Sequence, residues 1–585
     1  MPARTKRAAR VPALRATALA SLLWLLAASA CVGGRRADEA ALEPAPSIEA
    51  MARAAGSDVV ERLASGYVEG RSGEIQLVPE PWSVLGQWNG GVRGPADPRT
   101  THATPWSYHQ RVPIVLYGPP FVRRGVVSDQ PASVADAGAT LAGLLGLDHV
   151  GRSGAPLDDA LAPRGAHRPR AILVVVYDGG GWNVLERWPD AWPFLRRIAG
   201  KGATYVNATA GSAPTVTAPV HASLGTGTHP REHGIAENTF RLPSGEIGDA
   251  LGDRAGDPSL LRRSTFADRW ERVTRGRAWV GMVGYDVWHL PMMGAGTPGG
   301  DRDAAFLWDR HAAEIGEPWA PSPRYRLPRF APTVQTLEEE LRRLDLVDGA
   351  ADGRWRDADL ANEYEIPGTP AFASFVGEAA VRLVEESPVG RDDVTDLVFV
   401  ELKASDYAGH LWNMESAAER DVLRTQDRIL QRLVRALDRK AGSGRYVVAV
   451  TADHGQTPNP ASTGGLRIDR YAVAADIEAA FGDVVDEVHP GQVFLDLEAL
   501  RSSGRTVEDV ARFLGAYRYR EAIPEGTDVA SLPAGALDRR VFAAALPGTF
   551  LAGLSSRDVA AFGRGDHPEG DLTTPVRAIE ALVRG

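Results

Sequence analysis

The sequence predicts an α/β protein: a three-layer α/β/α sandwich with a mostly parallel sheet and cap insertions. Its strands are predicted from near-continuous apolar runs, because a strand buried on both faces loses the alternation of a half-exposed one. The runs read ILVVVY, WVGMVG, LVFVEL and YVVAVTA. Helices are predicted between the runs, and one from about Ser416 to Lys440 carries Val422, Ile429, Leu433 and Leu437 on one face. Polar side chains directly follow several runs, at the sheet edge where open α/β folds place their sites.

The composition indicates a large globular protein that does not bind nucleic acid as its main partner. With 585 residues, 44% of them apolar, the chain can bury a sizeable core over several domain-sized units. Acidic residues outnumber basic ones by 75 to 65, for a net charge of −10. This balance argues against a nucleic-acid partner, and a small anionic substrate then needs a local metal charge to draw it in.

The first 30 residues are typical of an export signal. Basic residues precede an uncharged apolar stretch from Ala16 to Ala30, which is short for a membrane-spanning helix. Cys31 follows at once and resembles the lipid-modified cysteine of bacterial lipoproteins, although Ala28 stands where those proteins usually have leucine. We expect an extracytoplasmic (periplasmic or cell-surface), lipid-anchored protein; plain secretion and an uncleaved anchor are the alternatives. Cys31 is the sole cysteine of the sequence, so it cannot form an internal disulfide.

Four segments are predicted along the chain: a signal peptide at 1–30, a tether with one helix at 31–72, a strand–loop–helix unit at 73–165, and the main α/β domain at 166–585. In the third segment, EIQLVP and VPIVLYG are typical of strands, and Val134 to Leu147 is typical of a helix. Gly- and Pro-rich stretches then connect this unit to the main domain. Insertions at about 241–390 and 465–550 are expected to form caps over the site.

Asp and His side chains of the kind that bind divalent metal ions recur after the predicted strands. Asp178 ends a run in YDGGGW, where glycine allows close approach of the backbone to an ion or a phosphate. In SDYAGH, Asp406 and His410 are four residues apart and can lie on one face of a helix. In TADHG, Asp453 and His454 precede a turn that lets both reach one centre. Singly, each motif also fits a helix cap or a solvated pair, but their common place after strands favours a metal site.

The segment SAPTVTAPVHASLGTG supplies hydroxyl groups, which metal coordination can activate for nucleophilic attack. The candidates are Ser212, Thr215 and Thr217, and spacing alone does not choose among them. Two ions roughly 3.5–4 Å apart can hold the attacking and leaving oxygens of an in-line displacement. We therefore expect two divalent metal ions, with zinc suited to these ligand types.

These motifs and their order resemble the alkaline phosphatase superfamily, most closely its bacterial Thr-nucleophile alkaline phosphatase and type I phosphodiesterase–nucleotide pyrophosphatase branches. The resemblance covers Ala171 to about Asp496. It implies Thr217 as the nucleophile, because Thr217 begins the match to the family's T-x-P-x-H, and Asn238 as a side chain that binds a phosphoryl oxygen. It also implies two ions, one held by Asp178, Thr217, Asp453 and His454, and the other by Asp406, His410 and a further histidine.

That further histidine stands in an unexpected place. In the family it comes late, in a T-H-G segment followed by a strand and a helix, whereas here TTHATPWSYHQRVPIVLYGPP and its helix precede Asp178. We infer a circular rearrangement, in which the unit at 73–165 is the family's displaced C-terminal unit and His102 is the last metal ligand. Chain termini often lie close together, so such permutation is tolerated. The alternative ligand is His567 in GRGDHPEGD.

Two residues bear on the substrate. Family members that prefer phosphate monoesters carry a Lys-x-Arg pair after the strand equivalent to WVGMVG, where this chain has Asp286 and Trp288. An acid repels a dianionic monoester, and a tryptophan suits stacking on an aromatic leaving group. We therefore favour hydrolysis of a phosphodiester or pyrophosphate through a phospho-threonine intermediate. The alternatives are a phosphate clamp from Arg302 or Arg324, a phosphomonoesterase, and a phosphonate hydrolase.

Two further functions are disfavoured. Sulfatases of the superfamily need a Cys or Ser that is converted to formylglycine, but position 217 is threonine and the sole cysteine is Cys31. A non-enzymatic surface protein on the same scaffold is also disfavoured, because it would not need a metal-binding residue at every ligand position, and this sequence has one at each.

Overall fold

The computed structural model describes most of the chain beyond residue 44. The described ranges are 45–86, 100–148, 151–163, 167–250, 258–285, 290–294, 296, 302–308, 319–320, 322, 324–565 and 573–584. The predicted signal peptide and Cys31 lie outside these ranges, as do Asp286, Trp288 and His567. Residues from Ala45 to Gly585 belong to one compact unit.

Strands and helices alternate over most of the described chain. In chain order the strands are β1 (Ile75–Pro79), β2 (Val84–Gly86), β3 (Ile114–Tyr117), β4 (Val126–Ser128), β5 (Ala132–Ser133), β6 (Ala171–Tyr177), β7 (Ala203–Tyr205), β8 (Ala208–Thr209), β9 (Thr239–Arg241), β10 (Ile247–Asp249), β11 (Val280–Tyr285), β12 (Ala304–Trp308), β13 (Arg354–Trp355), β14 (Ala358–Asp359), β15 (Asp396–Leu402), β16 (Tyr446–Thr451), β17 (Arg467–Asp469), β18 (Val485–His489), β19 (Gln492–Leu495) and β20 (Phe542–Pro547).

The α-helices range from single turns to a long amphipathic helix. They are Ile48–Ala55, Ser57–Gly66, Ser107–Gln110, Val134–Leu144, Trp182–Arg187, Pro193–Lys201, Thr217–Thr226, Pro230–His233, Phe266–Thr274, Leu337–Asp345, Pro370–Glu386, Ala404–Trp412, Ala417–Leu437, Pro460–Thr463, Arg470–Phe481, Leu497–Ser502, Val507–Ala516, Gly548–Gly553, Ser556–Ala560 and Thr573–Arg584. Among the residues that the structure describes, no helix is both long and apolar enough to cross a bilayer.

An eight-stranded, mostly parallel sheet lies at the centre, in the order β12-β11-β15-β6-β16-β3-β7-β4. The five strands from β12 to β16 in this order run parallel, and β3 is antiparallel to both of its neighbours. Every residue of β6, β15 and β16 is buried. Burial on both faces explains why these strands have continuous apolar sequences.

Helices cover both faces of this sheet. Alternate side chains of β6 enter different hydrophobic clusters, with Leu173 and Val175 in one and Ile172 and Val174 in the other. The first cluster also contains residues of the helices Pro370–Glu386 and Ala417–Leu437, and the second contains residues of Val134–Leu144 and Phe266–Thr274. The predicted α/β fold with a mostly parallel sheet is therefore confirmed.

The N-terminal unit supplies a strand to the central sheet. Strand β3 pairs with β16 in the register Ile114↔Thr451 to Tyr117↔Val448, and with β7 on its other side. The helix Ser107–Gln110 before it docks closely on the loop after β16, where the backbone N–H of Gly455 donates to His109 O at 2.8 Å. A Cβ at position 455 would lie 2.1 Å from Tyr108 O, so this contact requires glycine.

A smaller antiparallel sheet has the order β18-β19-β1-β20. Two helices, Ile48–Ala55 and Ser57–Gly66, pack into the same hydrophobic cluster as this sheet. Sequence analysis expected a tether with one helix over residues 31–72, so the structure differs there. Both helices are short, the first is rich in alanine, and Gly56 with φ 90° separates them. Their apolar faces are therefore difficult to recognise from the sequence.

The two expected cap insertions also differ in extent from the structure. The range 241–390 contains β11 and β12, which belong to the central sheet, and the helix Pro370–Glu386 that covers it. The range 465–550 contains β18, β19 and β20, which form the smaller sheet with β1. The partner strand β1 comes from far upstream, so spacing along the sequence does not indicate this sheet.

We predict that Leu116→Ala lowers the free energy of unfolding by about 2–5 kcal/mol, because Leu116 of β3 is fully buried in the sheet. Denaturant titration followed by circular dichroism measures the change. The matched control is Leu346→Ala, at a site that is 54% exposed, which should change stability by less than about 0.5 kcal/mol. Equal effects of the two substitutions would show that β3 is not part of the cooperative core.

Candidate metal centre

The carboxyl ends of three neighbouring parallel strands bring the predicted ligands together. Strands β15, β6 and β16 lie side by side, so the segments that follow them emerge at the same edge of the sheet. Asp178 follows β6, Asp406 lies in the helix after β15, and Asp453 and His454 follow β16.

A glycine directly after Asp178 shapes this edge. Gly179 has φ 70°, and its backbone N–H donates to Asp453 Oδ1 at 3.0 Å. A Cβ there would lie 2.5 Å from Gln456 Nε2, so both the backbone conformation and the space favour glycine. The bond fixes one oxygen of Asp453 and turns the other towards the neighbouring side chains.

One set of ligand atoms is formed by Asp178, Asp453 and His454. His454 Nε2 lies 3.6 Å from Asp178 Oδ1 and 3.3 Å from Asp453 Oδ2. All three side chains are buried, and within the described residues none of these three atoms has a hydrogen-bond partner. Buried polar atoms without partners are costly, so three that face one another indicate a position for a cation.

A second set lies beside the first and includes the early histidine. His102 Nε2 lies 3.6 Å from Asp406 Oδ1, and His410 Nε2 lies 3.3 Å from the same oxygen. The rings of His102 and His454 stack with 3.5 Å between their centroids, so the two sets are adjacent. The His410 side chain is 32% exposed, and the centre is open to solvent on that side.

Backbone carbonyls orient all three of these histidines through Nδ1. The partners are Thr215 O for His102 at 2.8 Å, Thr100 O for His410 at 2.7 Å, and Gly455 O for His454 at 3.0 Å. A carbonyl oxygen only accepts, so each Nδ1 donates its hydrogen, and a neutral ring then presents the Nε2 lone pair to the carboxylates. Metal-binding histidines are commonly held in this way.

Burial keeps two of the histidines neutral. It lowers the pKa of His454 to about 3 and, together with the neighbouring His454, lowers the pKa of His102 well below its usual value. For His410, the Asp406 carboxylate outweighs burial and raises the pKa. A neutral lone pair that faces a carboxylate oxygen needs a cation between them, and imidazole with carboxylate suits zinc. The residues present therefore fit a divalent ion in each set.

The buried carboxylates of the centre would be stabilised by additional positive charge. Asp178, Asp406, Asp453 and Glu401 are all buried, and Lys403 is the ammonium group beside them. Burial raises the pKa of Asp453 to about 7, and burial together with Asp453 raises the pKa of Asp178 well above its usual value. Divalent cations bound between these groups would favour their ionised forms.

The predicted nucleophile lies at the start of a buried helix. Thr217 is the first residue of the helix Thr217–Thr226, and its Oγ1 is 3.2 Å from Lys403 Nζ. Asn238 Oδ1 accepts a hydrogen bond from the backbone N–H of Ala218 at 2.8 Å. The structure thus places the Asn238 amide next to Thr217, at the end of a helix whose backbone N–H groups favour anions.

The other two candidate hydroxyls are placed differently. Thr215 Oγ1 donates to Thr104 O at 2.8 Å and accepts from Gln110 Nε2 at 2.5 Å. Ser212 is buried, and its backbone carbonyl accepts from the same Gln110 side chain at 2.8 Å. Thr217 is the one whose hydroxyl lies within hydrogen-bond reach of the lysine that bridges the carboxylates.

Sequence reasoning missed Lys403 and Glu401. Lys403 Nζ donates to Asp178 Oδ2 and lies 2.9 Å from both this oxygen and Asp406 Oδ2. Although burial opposes its charge, the Asp178 and Asp406 carboxylates raise the pKa of Lys403 well above its usual value. The sequence feature that could have indicated them is the pair of opposite charges in VELK, which lie two residues apart at the end of an otherwise apolar run.

The alternative phosphate clamps make other contacts. Arg302 Nη1 donates to Gly276 O at 3.0 Å, and Arg324 Nη1 donates to Gly296 O at 3.0 Å. Arg302 thus binds a carbonyl just before β11, and Arg324 binds a carbonyl after β11.

Comparison with known proteins identifies the family. Residues 172–540 match the model of the type I phosphodiesterase / nucleotide pyrophosphatase family, which is more than half of the chain. The chain belongs to this family. It is a phosphoric ester hydrolase of the alkaline phosphatase superfamily, and the resemblance seen in the motifs is confirmed. The match begins at the first residues of β6, so the segment that carries His102 lies outside it.

Relatives of this phosphodiesterase-family chain are distant. Alkaline phosphatase PafA of Elizabethkingia meningoseptica is 23% identical over 398 residues, covering 59% of this chain and 72% of PafA. Alkaline phosphatase PhoV of Synechococcus elongatus is 23% identical over 348 residues, covering 52% and 62%. The solved structure of wild-type PafA is 22% identical with a TM-score of 0.47, covering 60% of this chain and 76% of that one. Phosphonoacetate hydrolase from Sinorhizobium meliloti, in complex with phosphonoformate, is 21% identical with a TM-score of 0.31, covering 49% and 57%.

A buried histidine from the smaller sheet contacts the residue next to Asn238. His489 Nδ1 lies 3.2 Å from Glu237 Oε2, and His489 Nε2 lies 2.7 Å from Glu487 Oε2. Burial opposes protonation of His489, but the two carboxylates outweigh it and raise the pKa to about 9. The positive charge of His489 therefore links β18 to the segment that carries Asn238.

We predict that this link stabilises the fold below about pH 6.5 and is lost as the pH rises through about 9, because the folded-state pKa lies above the unfolded one. His489→Gln should lower the free energy of unfolding by up to about 3 kcal/mol in mildly acidic solution. Urea titration of both proteins at acidic and strongly alkaline pH measures the difference. A difference that stays the same above the pKa of His489 would contradict the assignment.

Proposed function

We propose that this chain is an extracytoplasmic two-metal phosphoesterase that hydrolyses a phosphodiester or pyrophosphate through a phospho-threonine intermediate. The observation that carries the proposal is the pair of adjacent ligand sets around His454, Asp178 and Asp406, which lie next to the buried hydroxyl of Thr217. Family membership supplies the reaction class, phosphoric ester hydrolysis.

The proposed ligand sets follow the geometry of the side chains. Asp178, Thr217, Asp453 and His454 would hold one ion, and Asp406, His410 and His102 would hold the other. Bound ions, zinc by ligand type, would supply positive charge that acidifies the threonine hydroxyl and stabilises the leaving oxygen.

In the proposed reaction, Thr217 and its neighbours handle the phosphoryl group. Thr217 Oγ1 loses its hydrogen to solvent and attacks phosphorus. A bond from Oγ1 to phosphorus forms, the bond from phosphorus to the leaving oxygen breaks, and the leaving oxygen takes a proton from solvent. Water then hydrolyses the phospho-threonine and restores the hydroxyl. Because Asn238 Oδ1 is held by the Ala218 N–H, its Nδ2 is left to donate to a phosphoryl oxygen.

We further propose that the unit around β3 is the family's C-terminal unit in a circularly rearranged chain. Three observations support this proposal. His102 Nε2 lies 3.6 Å from Asp406 Oδ1, and His410 Nδ1 donates a hydrogen bond to Thr100 O. The family match begins only after this unit. The alternative ligand His567 lies outside the described residues.

The substrate preference and location are proposed from the sequence. Asp286 favours a diester or pyrophosphate over a dianionic monoester, and an anchor at Cys31 would hold the enzyme at a membrane surface outside the cytoplasm. A phosphomonoesterase is the second candidate, because the curated relatives PafA and PhoV are named alkaline phosphatases. A phosphonate hydrolase is the third, since one structural neighbour is named phosphonoacetate hydrolase.

Thr217→Ala is expected to reduce kcat on bis-p-nitrophenyl phosphate by at least about 10³-fold, because no other hydroxyl replaces the nucleophile. Thr217→Ser, which keeps a hydroxyl, is the matched control and should retain measurable phosphoryl transfer. The assay compares paired mono- and diesters on zinc-loaded protein, which also ranks the substrate classes. Wild-type turnover by Thr217→Ala would refute the assigned nucleophile.

His102→Ala is expected to lower bound zinc from about two ions per chain to about one, because it removes a ligand of one set. Elemental analysis after dialysis against buffered zinc measures the stoichiometry independently of activity. His167→Ala, at an exposed histidine, is the control and should keep both ions. If His567→Ala loses an ion and His102→Ala does not, the rearranged assignment is wrong.

A further inference from the structure

A buried ammonium group sits between the two ligand sets. Lys403 Nζ is 2.9 Å from Asp178 Oδ2, 2.9 Å from Asp406 Oδ2 and 3.2 Å from Thr217 Oγ1. Those two carboxylates belong to different ligand sets. The lysine thus contacts one carboxylate of each set and the proposed nucleophile at the same time.

The lysine uses different carboxylate oxygens from those that face the histidines. His454 Nε2 lies 3.6 Å from Asp178 Oδ1, and His102 Nε2 lies 3.6 Å from Asp406 Oδ1. Lys403 contacts Oδ2 of both carboxylates. One oxygen of each carboxylate therefore remains directed at the space between the ligand atoms. Asp178 Oδ1 and Asp406 Oδ1 are thus left for ligand roles while Lys403 contacts the other two oxygens.

The local fold holds Lys403 in this place. It lies directly after β15, at the position that precedes the helix Ala404–Trp412. Ser405 Oγ donates to Asp178 O at 2.5 Å, and Gln426 Nε2 donates to Leu402 O at 2.9 Å. These bonds on both sides of Lys403 fix the turn, so the side chain enters the centre from a rigid support.

Glu401 lies near the end of β15, two residues before Lys403. The Glu401 carboxyl group is fully buried and interacts with Asp178 and Lys403. Burial and the neighbouring Asp178 raise the pKa of Glu401 well above its usual value. A buried lysine alone would be costly, but this one is compensated by carboxylates in direct contact.

We propose that Lys403 is a catalytic residue that acts as a third, built-in cation: it holds Thr217 Oγ1 in place and stabilises the negative charge on that oxygen as it attacks. The inference rests on the proposed function, because it takes Thr217 as the nucleophile. It goes beyond that function because part of the positive charge next to Thr217 Oγ1 would come from a side chain of the protein and not only from the metal ions.

Lys403→Met removes the ammonium while keeping the length of the side chain. On the zinc-loaded enzyme we expect kcat to fall by about 10²-fold or more, with about two zinc ions still bound per chain. We also expect zinc to resist a competing chelator better than in the wild type, since the ligand carboxylates lose a neighbouring positive charge. Lys201→Met, at an exposed lysine, is the matched control and should change neither readout.

The outcome separates three cases. A fully zinc-loaded Lys403→Met enzyme with kcat within about twofold of the wild type would overturn the proposal. Wild-type activity of Thr217→Ala would instead refute the nucleophile and the proposed function. If Lys403→Met does not fold, the double variant Glu401→Gln/Lys403→Met is judged by the same criteria.

A crystal structure of the zinc-loaded wild type tests the geometry without any substitution. The proposal expects Lys403 Nζ to stay within about 3.5 Å of Thr217 Oγ1. A lysine that swings away from Thr217 when zinc binds would overturn it.

Discussion

The structure depends on one electrostatic constraint, the burial of four carboxylates at the meeting point of three parallel strands. Carboxylates in such a place repel one another and lose their hydration, so they require compensating cations. Lys403 supplies one positive charge in direct contact with two of them. Carbonyl groups of Thr100, Thr215 and Gly455 turn the surrounding histidines so that neutral nitrogens face the same space. The sheet, the helix at Thr217 and the N-terminal unit all position groups around this charge.

Much of this arrangement was predictable from the sequence, because the central strands are buried on both faces. Their apolar runs end abruptly, and the polar residues that follow are the ones that cluster, as Asp178 after β6 and Asp453 after β16 illustrate. The sequence order of the motifs indicated the family, which the match over residues 172–540 confirms. His102 was also placed among the candidates, since its flanking strand and helix have the expected pattern.

Other features escaped prediction because their partners are distant in sequence. Lys403 looks like an ordinary surface residue at a strand end until the fold places Asp178 and Asp406 on either side of it. The helices at residues 48–66 are recognisable only through the apolar cluster that they join. Likewise, β1 pairs with β19 and β20, which lie more than 400 residues later. Local pattern carries no record of such pairings.

The position of β3 has a consequence for how the protein reaches its native state. This strand pairs with β16 on one side and β7 on the other, and β16 follows it in the chain only after some 330 further residues. Until then one edge of an apolar strand lacks its neighbour, and unpaired edges of this kind promote association between chains. Closing so large a loop also slows folding. The order of segments in the chain therefore makes the completion of the central sheet a late and non-local event in folding.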